Sequence, residues 1–486
     1  SGAGGAMVAH SMLKHNHELK IIILERGDHT DSLDMTSNEV DMLARLYADG
    51  ALQLSRDFNF QILQGSCVGG STVINNAVSF NLPAAVLKKW NDAQLYDAGL
   101  DETRLNQSFQ YVRQLLKIKK QDENAPGQKF PFLNKGSAPF KAGIEALELD
   151  KPPNEFNVVE ANIDKCFGCG YCNIGCRYGK KLSMLNSVLP DLQRDYPKDN
   201  IRIIAGCEVD KLHTSGKDIT HLSASFKNGR KLDIRAKKFI LSAGAISSSL
   251  ILLRSNVGNA QVGKNLAFNL GSPITAVFDK VINAYEGLQI SHYFLQNPSR
   301  GYIMETWFNP PVSQALTMPG WFDDHFNNML RYNKLSSVGI LVPTEGNAEI
   351  RNGGLFKRDI KYKPTAEDLK KLGDGLELAG KIFLRGGATH VMPHTLDYLE
   401  LTEDNLHLIR QNVLKPGGIT LGTGHPQGGN KISKDPKKGV VSPEFKVYGY
   451  NNLYVVDASV FPSSIGVNPQ LTIMALADYA AEFILD

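Results

Sequence analysis

At 486 residues and 53.4 kDa the chain is long enough to bury two cores, so a cofactor domain and a substrate domain are expected, and no fixed-period repeat argues for a solenoid. Its 53 Lys and Arg against 50 Asp and Glu leave a net charge of +3 without blocks of one sign, which excludes the basic footprint of a nucleic-acid binder. No apolar run approaches the ~20 residues of a membrane helix, and no signal-peptide core is recognisable.

The opening Ser1-Gly2-Ala3-Gly4-Gly5-Ala6, the apolar stretch Met7–Leu13 and the run Ile21-Ile22-Ile23-Leu24-Glu25 read as a glycine-rich turn, a helix and a buried parallel strand tipped by an acid. That is the order of a Rossmann-type dinucleotide unit. Gly2 lets the backbone approach a pyrophosphate and Gly5 permits close helix–strand packing, while the helix N-terminus offers free N–H groups and a positive dipole end. Glu25 lies twenty residues past Gly5, where a carboxylate accepts from a ribose diol. The first glycine of the GxGxxG pattern and the strand ahead of it would precede Ser1, so the sequence is expected to lack several N-terminal residues.

Gly65-Ser66-Cys67-Val68-Gly69-Gly70-Ser71-Thr72-Val73-Ile74-Asn75-Asn76 is too glycine-rich for a core strand and too apolar for a solvated loop. Such a segment suits backbone pressed against a flat ligand. Within residues 164–181, Cys166, Cys169, Cys172 and Cys176 form C-x2-C-x2-C-x3-C, the spacing with which bacterial ferredoxins hold iron–sulfur clusters. Three of them would ligate a 3Fe-4S centre or four a 4Fe-4S centre. Arg177 stands where proline usually follows the fourth cysteine and only one such run is present, and zinc or purely structural thiols are the alternatives. The clustering points to assembly under reducing conditions rather than to a disulfide framework. His15 with His17, and His390 with His394, carry spacings that metal sites use, but surface and core histidines are the commoner reading.

Beyond Val209, the segments Leu222–Phe226 and Leu232–Ile234 flank Asn228-Gly229, which predicts a hairpin and a three-stranded meander feeding Phe239-Ile240-Leu241 back into a parallel sheet. Residues 290–340 gather Tyr293, Phe294, Trp307, Phe308, Trp321, Phe322 and Phe326, read equally as an apolar or ring-stacking pocket and as core. Asn452–Ser459 reads as a buried strand with Asp457 at its tip, followed by a helix from about Leu471.

Five ordered blocks, namely the opening, residues 65–76, Lys238–Ala245, residues 422–430 and residues 452–475, together resemble the glucose-methanol-choline (GMC) oxidoreductases, the family of glucose oxidase, choline and cholesterol oxidases and several flavin dehydrogenases. The resemblance implies an α/β fold with a Rossmann-type FAD-binding domain from residues 1–90, 160–270 and 405–486. A discontinuous α+β substrate-binding domain would comprise residues 91–159 and 271–404. It places Asn75 against the flavin, behind Gly69, Gly70 and Ser71, and the Val209 backbone at the adenine. Ala243 joins the cofactor wall, and Asp457 with Ala458 approaches the ribityl chain and phosphate. Bacterial FAD-dependent glucose dehydrogenases and long-chain alcohol oxidases carry cysteine-rich segments of broadly this kind, which implies a cluster here.

Removing hydride from a carbinol carbon needs a base for the hydroxyl proton and a donor for the oxygen, both beside the flavin. The resemblance assigns these places to His425, in Gly422-Thr423-Gly424-His425-Pro426, and to Asn468. Neutral His425 is expected to accept the proton while hydride passes to flavin N5, and Asn468 to hydrogen-bond the oxygen. The expected activity is an FAD-dependent dehydrogenase acting on the CH–OH group of an alcohol or sugar, with electrons relayed through an iron–sulfur cluster to an acceptor protein or quinone. An alcohol oxidase that reduces oxygen to hydrogen peroxide, its cysteines structural, is the alternative, and a non-catalytic flavin-binding redox subunit the third reading. The compartment is expected to be cytoplasmic, or periplasmic or membrane-associated through a partner, with any N-terminal targeting segment unread.

Overall fold

The computed structural model describes residues 1–121, 133–353, 358–415 and 417–485; the remaining parts of the expected domains lie outside the described residues. In chain order the first half holds α1 (Ala3–His15), β1 (Ile21–Leu24), β2 (Phe60–Ile62), α2 (Ser71–Ile74), α3 (Glu102–Leu115) and β3 (Glu155–Val158). There follow β4 (Ile201–Ile204), β5 (Cys207–Ser215), β6 (Asp218–Phe226), β7 (Lys231–Ile234), β8 (Phe239–Leu241) and α4 (Gly244–Ser255). The rest comprises β9 (Lys264–Val277), β10 (Ile290–Leu295), β11 (Ile303–Trp307), β12 (Leu335–Pro343), α5 (Ala366–Arg385), β13 (His390–Pro393), β14 (Leu421–Thr423), β15 (Pro426–Gly429), β16 (Leu453–Val455) and α6 (Gln470–Leu485).

Small residues open α1, and Met7, Val8, Met12 and Leu13 bury it, while Lys14 and His15 complement the negative end of its dipole. β1 pairs in parallel with β4, and β8 in parallel with β16. Gly229, at φ 81°, closes the β6–β7 hairpin, and β5, β6 and β7 form the three-stranded sheet that the alternation predicts.

A nine-stranded sheet in the order β2-β14-β9-β12-β11-β10-β3 forms the other half, with β13 and β15 also paired to β9. β9 is the strand that joins everything. Its start pairs with β15, Gly271 meets Gly422 of β14, Ile274–Val277 pair with β13, and β12 runs along the other edge. α5, started by a capping box between Thr365 and Asp368, packs Leu372, Leu376, Ala379 and Phe383 onto this sheet.

Two large apolar clusters result, one around α1, β1, β8, β16 and α6, the other between the nine-stranded sheet and α5. They part the chain differently from boundaries at residues 90 and 270. α3 carries Leu105, Phe109 and Val112 into the first cluster, whereas Phe60, Ile62, Phe268 and Leu270 lie in the second. An amphipathic segment shows that one face is covered but not which core covers it. The aromatic segment divides too: Phe294 and Phe308 are core, and Trp321, Phe322 and Phe326 lie on the surface. Among the described residues no helix is long and apolar enough to cross a membrane.

Candidate active site

A cavity of about 1370 Å³ runs from residues of β1 and β8 to the face of the nine-stranded sheet, larger than the ~300–1,000 Å³ of a typical small-molecule pocket. Of the residues expected to hold FAD, Gly2, Gly5, Glu25, Gly70, Ser71, Asn75, Val209, Ala243, Asp457 and Ala458 line it. Gly69 does not; at its φ of +95° a Cβ would fall against Val73 and Leu185. No side chain caps α1, no acid sits in its first turn, and the first helical bond runs from Ala6 N–H to the Gly2 carbonyl. The N–H groups ahead of it are therefore free for a pyrophosphate.

The tightest helix–strand approach is at Gly4 rather than Gly5: a Cβ at Gly4 would fall far inside contact with the Val456 carbonyl, one at Gly5 3.2 Å from Ser242 Cβ. The Ser1 hydroxyl donates to Glu25 (2.6 Å) and accepts from Gly69 N–H (3.0 Å), and Gly27 N–H donates to the other Glu25 oxygen (2.9 Å). Glu25 is thereby oriented with lone pairs to spare for a diol. Asn75 is held by Gln470 (2.8 Å) and Ala77 N–H (3.0 Å), so its side chain fixes the loop. The Asp457 carboxylate accepts from Gly244 N–H (2.9 Å), the Ser248 hydroxyl (2.5 Å) and Ser459 N–H (2.8 Å), which ties β16 to the start of α4.

At the other end, His425 lines the cavity just past β14. Its Nδ1 meets the Asn269 side-chain nitrogen at 3.0 Å. Asn269, fully buried in β9, also donates to the Val467 carbonyl (2.9 Å) and accepts from the Ser464 hydroxyl (2.6 Å). Reversing the amide would set its oxygen against the Val467 carbonyl, so its orientation is fixed. An amide nitrogen only donates, hence Nδ1 accepts and the neutral imidazole carries its proton on Nε2. Burial lowers the His425 pKa to about 4, which keeps the ring neutral at pH 7. With Nδ1 engaged by Asn269, Nε2 is the ring nitrogen left for a ligand in the cavity.

Asn468, next to the Val467 that Asn269 holds, lines the same cavity, and its amide oxygen has no partner among the described residues. So does Glu305 of β11, 5 % exposed, with Oε1 unpartnered. Burial raises its pKa to about 7, against the pull of the adjacent Asn468 side chain. His394 reaches the cavity as a neutral ring: its Nε2 lies 3.0 Å from Thr275 Oγ1, and burial lowers its pKa to about 3. Opposite Glu305 on β12 stands Gly339, where a Cβ would meet nothing within 4 Å, so the space over the sheet is open.

Family models described as GMC oxidoreductase match residues 43–270, for the N-terminal part, and residues 350–477, for the C-terminal part. The chain belongs to the GMC oxidoreductases. An uncharacterised GMC-type oxidoreductase of Mycobacterium tuberculosis is 27 % identical across 98 % of this chain and 73 % of its own length. A long-chain-alcohol oxidase of Arabidopsis thaliana is 24 % identical across 100 % of this chain, which spans 66 % of that relative. Among solved structures, pyridoxine 4-oxidase from Mesorbium loti superposes with a TM-score of 0.71 at 16 % identity, covering 99 % of this chain and 97 % of that one. Formate oxidase from Aspergillus oryzae gives 0.73 at 15 % identity over 99 % and 96 %. The two-domain GMC architecture is therefore the fold, and the family supports FAD as cofactor and flavin-dependent alcohol oxidation as the chemistry.

In this GMC chain the four clustered cysteines are free thiols that line one small pocket of about 20 Å³, with Gly168 N–H 3.2 Å from Cys166 Sγ and Lys181 N–H 3.4 Å from Cys176 Sγ. Burial pushes the Cys166 thiol up to about 12 and raises Cys169 and Cys172 as well in the metal-free chain. Among the described residues no group of three His, Cys, Asp or Glu is arranged to hold a metal ion, His390 and His394 included. The thiols as placed do not form a cluster cage. What the run visibly does is dock on the cofactor wall. The buried Lys181 ammonium donates to the carbonyls of Val73 (2.7 Å), Asn75 (2.6 Å) and Cys172 (2.7 Å).

Asn269, Glu305, Lys181 and Gly4 are the residues that motif reading passes over. A signal existed for two. Asn269 interrupts the apolar run Leu266-Ala267-Phe268-Asn269-Leu270, and Glu305 is an acid amid Ile303-Met304-Glu305-Thr306-Trp307. A polar residue inside a buried strand needs a partner or a task.

Proposed function

We propose that this chain is an FAD-dependent oxidase acting on the CH–OH group of an apolar alcohol and returning electrons to oxygen. The observation that carries the reading is that one cavity joins the dinucleotide cradle to His425, Asn468 and Glu305. Gly2, Gly5, Glu25, Gly70, Ser71, Asn75, Val209, Ala243, Asp457 and Ala458 are the residues proposed to hold the cofactor, with Gly69 shaping their loop. Bound FAD supplies the two-electron acceptor for the carbinol hydrogen. The chain's own residues orient the alcohol: His425 Nε2–H donates to the hydroxyl oxygen, and Asn468 supplies the second polar contact. Ile290, Trp307, Leu316 and Leu341 line the cavity and suit an apolar chain or ring. The names of the plant long-chain-alcohol oxidase and of the two oxidases of like fold support oxygen as acceptor.

Anaerobic mixing of the holoprotein with 1-dodecanol or benzyl alcohol should bleach the flavin band, and readmitted oxygen should restore it with hydrogen peroxide released. If no alcohol bleaches the flavin, the reading fails. A second reading, a dehydrogenase with an iron–sulfur relay to a protein or quinone, draws on the cysteine spacing and on the single pocket the four thiols share. Iron and acid-labile sulfide in anaerobically purified protein, with slow reoxidation by oxygen, would favour it over the oxidase.

A further inference from the structure

We propose that the apolar ridge formed by Leu316, Trp321, Phe322, Phe326 and Leu330 docks on the surface of a zwitterionic lipid bilayer, from which an apolar alcohol enters the cavity past Leu316. What enters rests on the alcohol-oxidation reading above; the docking itself does not. All five side chains are between 62 % and 92 % exposed. In the helix Asp323–Leu330 the usual arrangement is inverted. Phe322, Phe326 and Leu330 recur every four residues, the spacing that lines one face of a helix, and all three face solvent. The far side does the anchoring. Asn328, the one buried residue of that helix, donates to the Pro319 carbonyl (3.2 Å) and the Tyr398 hydroxyl (3.1 Å), and His325 Nε2 lies 2.9 Å from the Ala315 carbonyl. Phe322 sits at φ 49° and ψ −114°, a conformation that residues with a side chain rarely adopt, and it is the most exposed of the five. Strain that presents an aromatic ring to water points to a partner for the ring.

The ridge adjoins the cavity. Leu316 belongs to both, and Ser313 and Thr317 of the same helix, Pro311–Thr317, line the cavity with it. Ridge and cavity wall thus share a side chain, which gives an apolar molecule a path from one to the other.

Area and charge select the occupant. The five side chains expose roughly 700 Å² of apolar surface, at the ~150–250 Å² that an aromatic ring presents. That exceeds the largest apolar patch of a typical monomer, ~300–600 Å², yet falls short of the ~800 Å² per partner that a standard protein interface buries. A second copy of the chain would therefore be held weakly by this face. A bilayer asks for no matching surface, and Trp, Phe and Leu are the residues with which interfacial helices enter it. From residue 311 to residue 330 there is no Lys or Arg, and Arg331 is turned onto Asn328 and Glu400. Asp323 and Asp324 stand exposed beside Phe322 in the first turn of the helix. Their carboxylates oppose an anionic headgroup and suit the quaternary ammonium of a choline headgroup, which the faces of Trp321 and Phe322 also attract. Among the described residues no helix is long and apolar enough to span a membrane, so the contact is with its surface.

The test uses the FAD-loaded full chain and vesicles of pure dioleoylphosphatidylcholine. Wild type should float with the vesicles, and to the same extent at low salt and at ~1 M salt, because no cation supports the contact. A triple variant, Phe322→Gln with Phe326→Gln and Leu330→Gln, changes surface positions only. It should keep its flavin content and thermal midpoint and float at least ~10-fold less. Flavin bleaching by 1-dodecanol supplied in the vesicles should slow ~10-fold in the variant, while bleaching by dissolved 1-butanol should stay within about twofold of wild type. The proposal is overturned if the variant floats like wild type, or if it bleaches as fast with vesicle-borne 1-dodecanol. It is equally overturned if wild type floats only with vesicles that contain phosphatidylserine, which would make the contact a basic one. A vesicle-free dimer that the variant dissociates would give the ridge to a second copy and overturn it too. If no alcohol bleaches the flavin while wild type floats and the variant does not, the alcohol reading falls and the docking face stands.

Discussion

Replacing Glu305 by Gln should stabilise the protein at alkaline pH and leave it nearly unchanged at acid pH. The carboxyl has a folded pKa of about 7 against an ordinary value of 4.5, with burial as the leading cause. A carboxyl whose pKa is raised on folding favours the folded state below pH 4.5, and that contribution is lost as pH rises to 7. The difference of about 2.5 units, at 1.36 kcal/mol each, amounts to about 3 kcal/mol, of which roughly 2–3 kcal/mol develops between pH 5 and pH 8. Gln fills the same volume without ionising, so it escapes the loss. The assay is urea unfolding of FAD-loaded wild type and variant at pH 5 and pH 8 with flavin in equal excess. The quantity compared is the variant-minus-wild-type stability at the two pH values, in which titrations common to both proteins cancel. A difference below about 1 kcal/mol between the two pH values would refute burial as the cause of the shift, since desolvation of that size cannot be hidden.

Other perturbations probe the remaining contacts. Asn269→Leu keeps the volume but strands the Val467 carbonyl and the Ser464 hydroxyl, about 1–3 kcal/mol each, and frees His425 Nδ1; ¹⁵N spectra should then show both tautomers where wild type shows one. Lys181→Met leaves the carbonyls of Val73, Asn75 and Cys172 without their donor, so FAD release on dilution should accelerate at least ~10-fold, read by flavin fluorescence. Gly4→Ala drives a methyl into the Val456 carbonyl, an overpacking of at least ~1–3 kcal/mol, and the purified variant should carry substoichiometric flavin by its absorbance ratio.

The dinucleotide half was legible because its constraints are local. A glycine turn, a helix with a free N-terminus and an acid at a strand tip must be near one another in sequence, and the structure places Gly2, Gly5 and Glu25 on one cavity. The Asn228-Gly229 hairpin was legible for the same reason: only a few residue pairs accept positive φ at a tight turn. The far half of the site obeyed no local rule. Asn269 and His425 are 156 residues apart, and what relates them is a single hydrogen bond whose polarity decides the protonation of the ring. A histidine in a glycine-rich loop signals closeness to a ligand, but its tautomer is set by whatever strand passes behind it. Glu305 stood out as an acid amid apolar residues, but an acid in a strand reads equally as an edge or a surface position until its neighbours are known. Cysteine spacing brought the four thiols to one pocket, but the side-chain geometry that ligation needs is not set by spacing.

The two ends of the cavity pose opposite electrostatic problems. At the dinucleotide end, fixed partial charge is needed, supplied by the unpaired N–H groups of α1 and by Glu25. At the sheet end, charge must be scarce, because a proton moves there in an apolar space and any permanent ion would bias its resting place. The two cavity histidines are neutral at that end, and the buried ammonium of Lys181 is committed to three carbonyls outside it. Among the described residues that line the sheet face, Glu305 has its pKa raised to about 7 by burial, so its charge changes near neutral pH. Substrate range should accordingly follow the residues around it that touch neither the dinucleotide cradle nor β9's hold on His425. Gly339 is the clearest of these: Gly339→Leu would place a side chain over the open sheet beside Glu305, leaving α1, Glu25 and Asn269 untouched. Such a variant should keep its flavin and its His425 tautomer while losing long or ring-bearing alcohols before short ones. Loss of all alcohols alike, short ones included, would mean that the substrate does not lie over that strand.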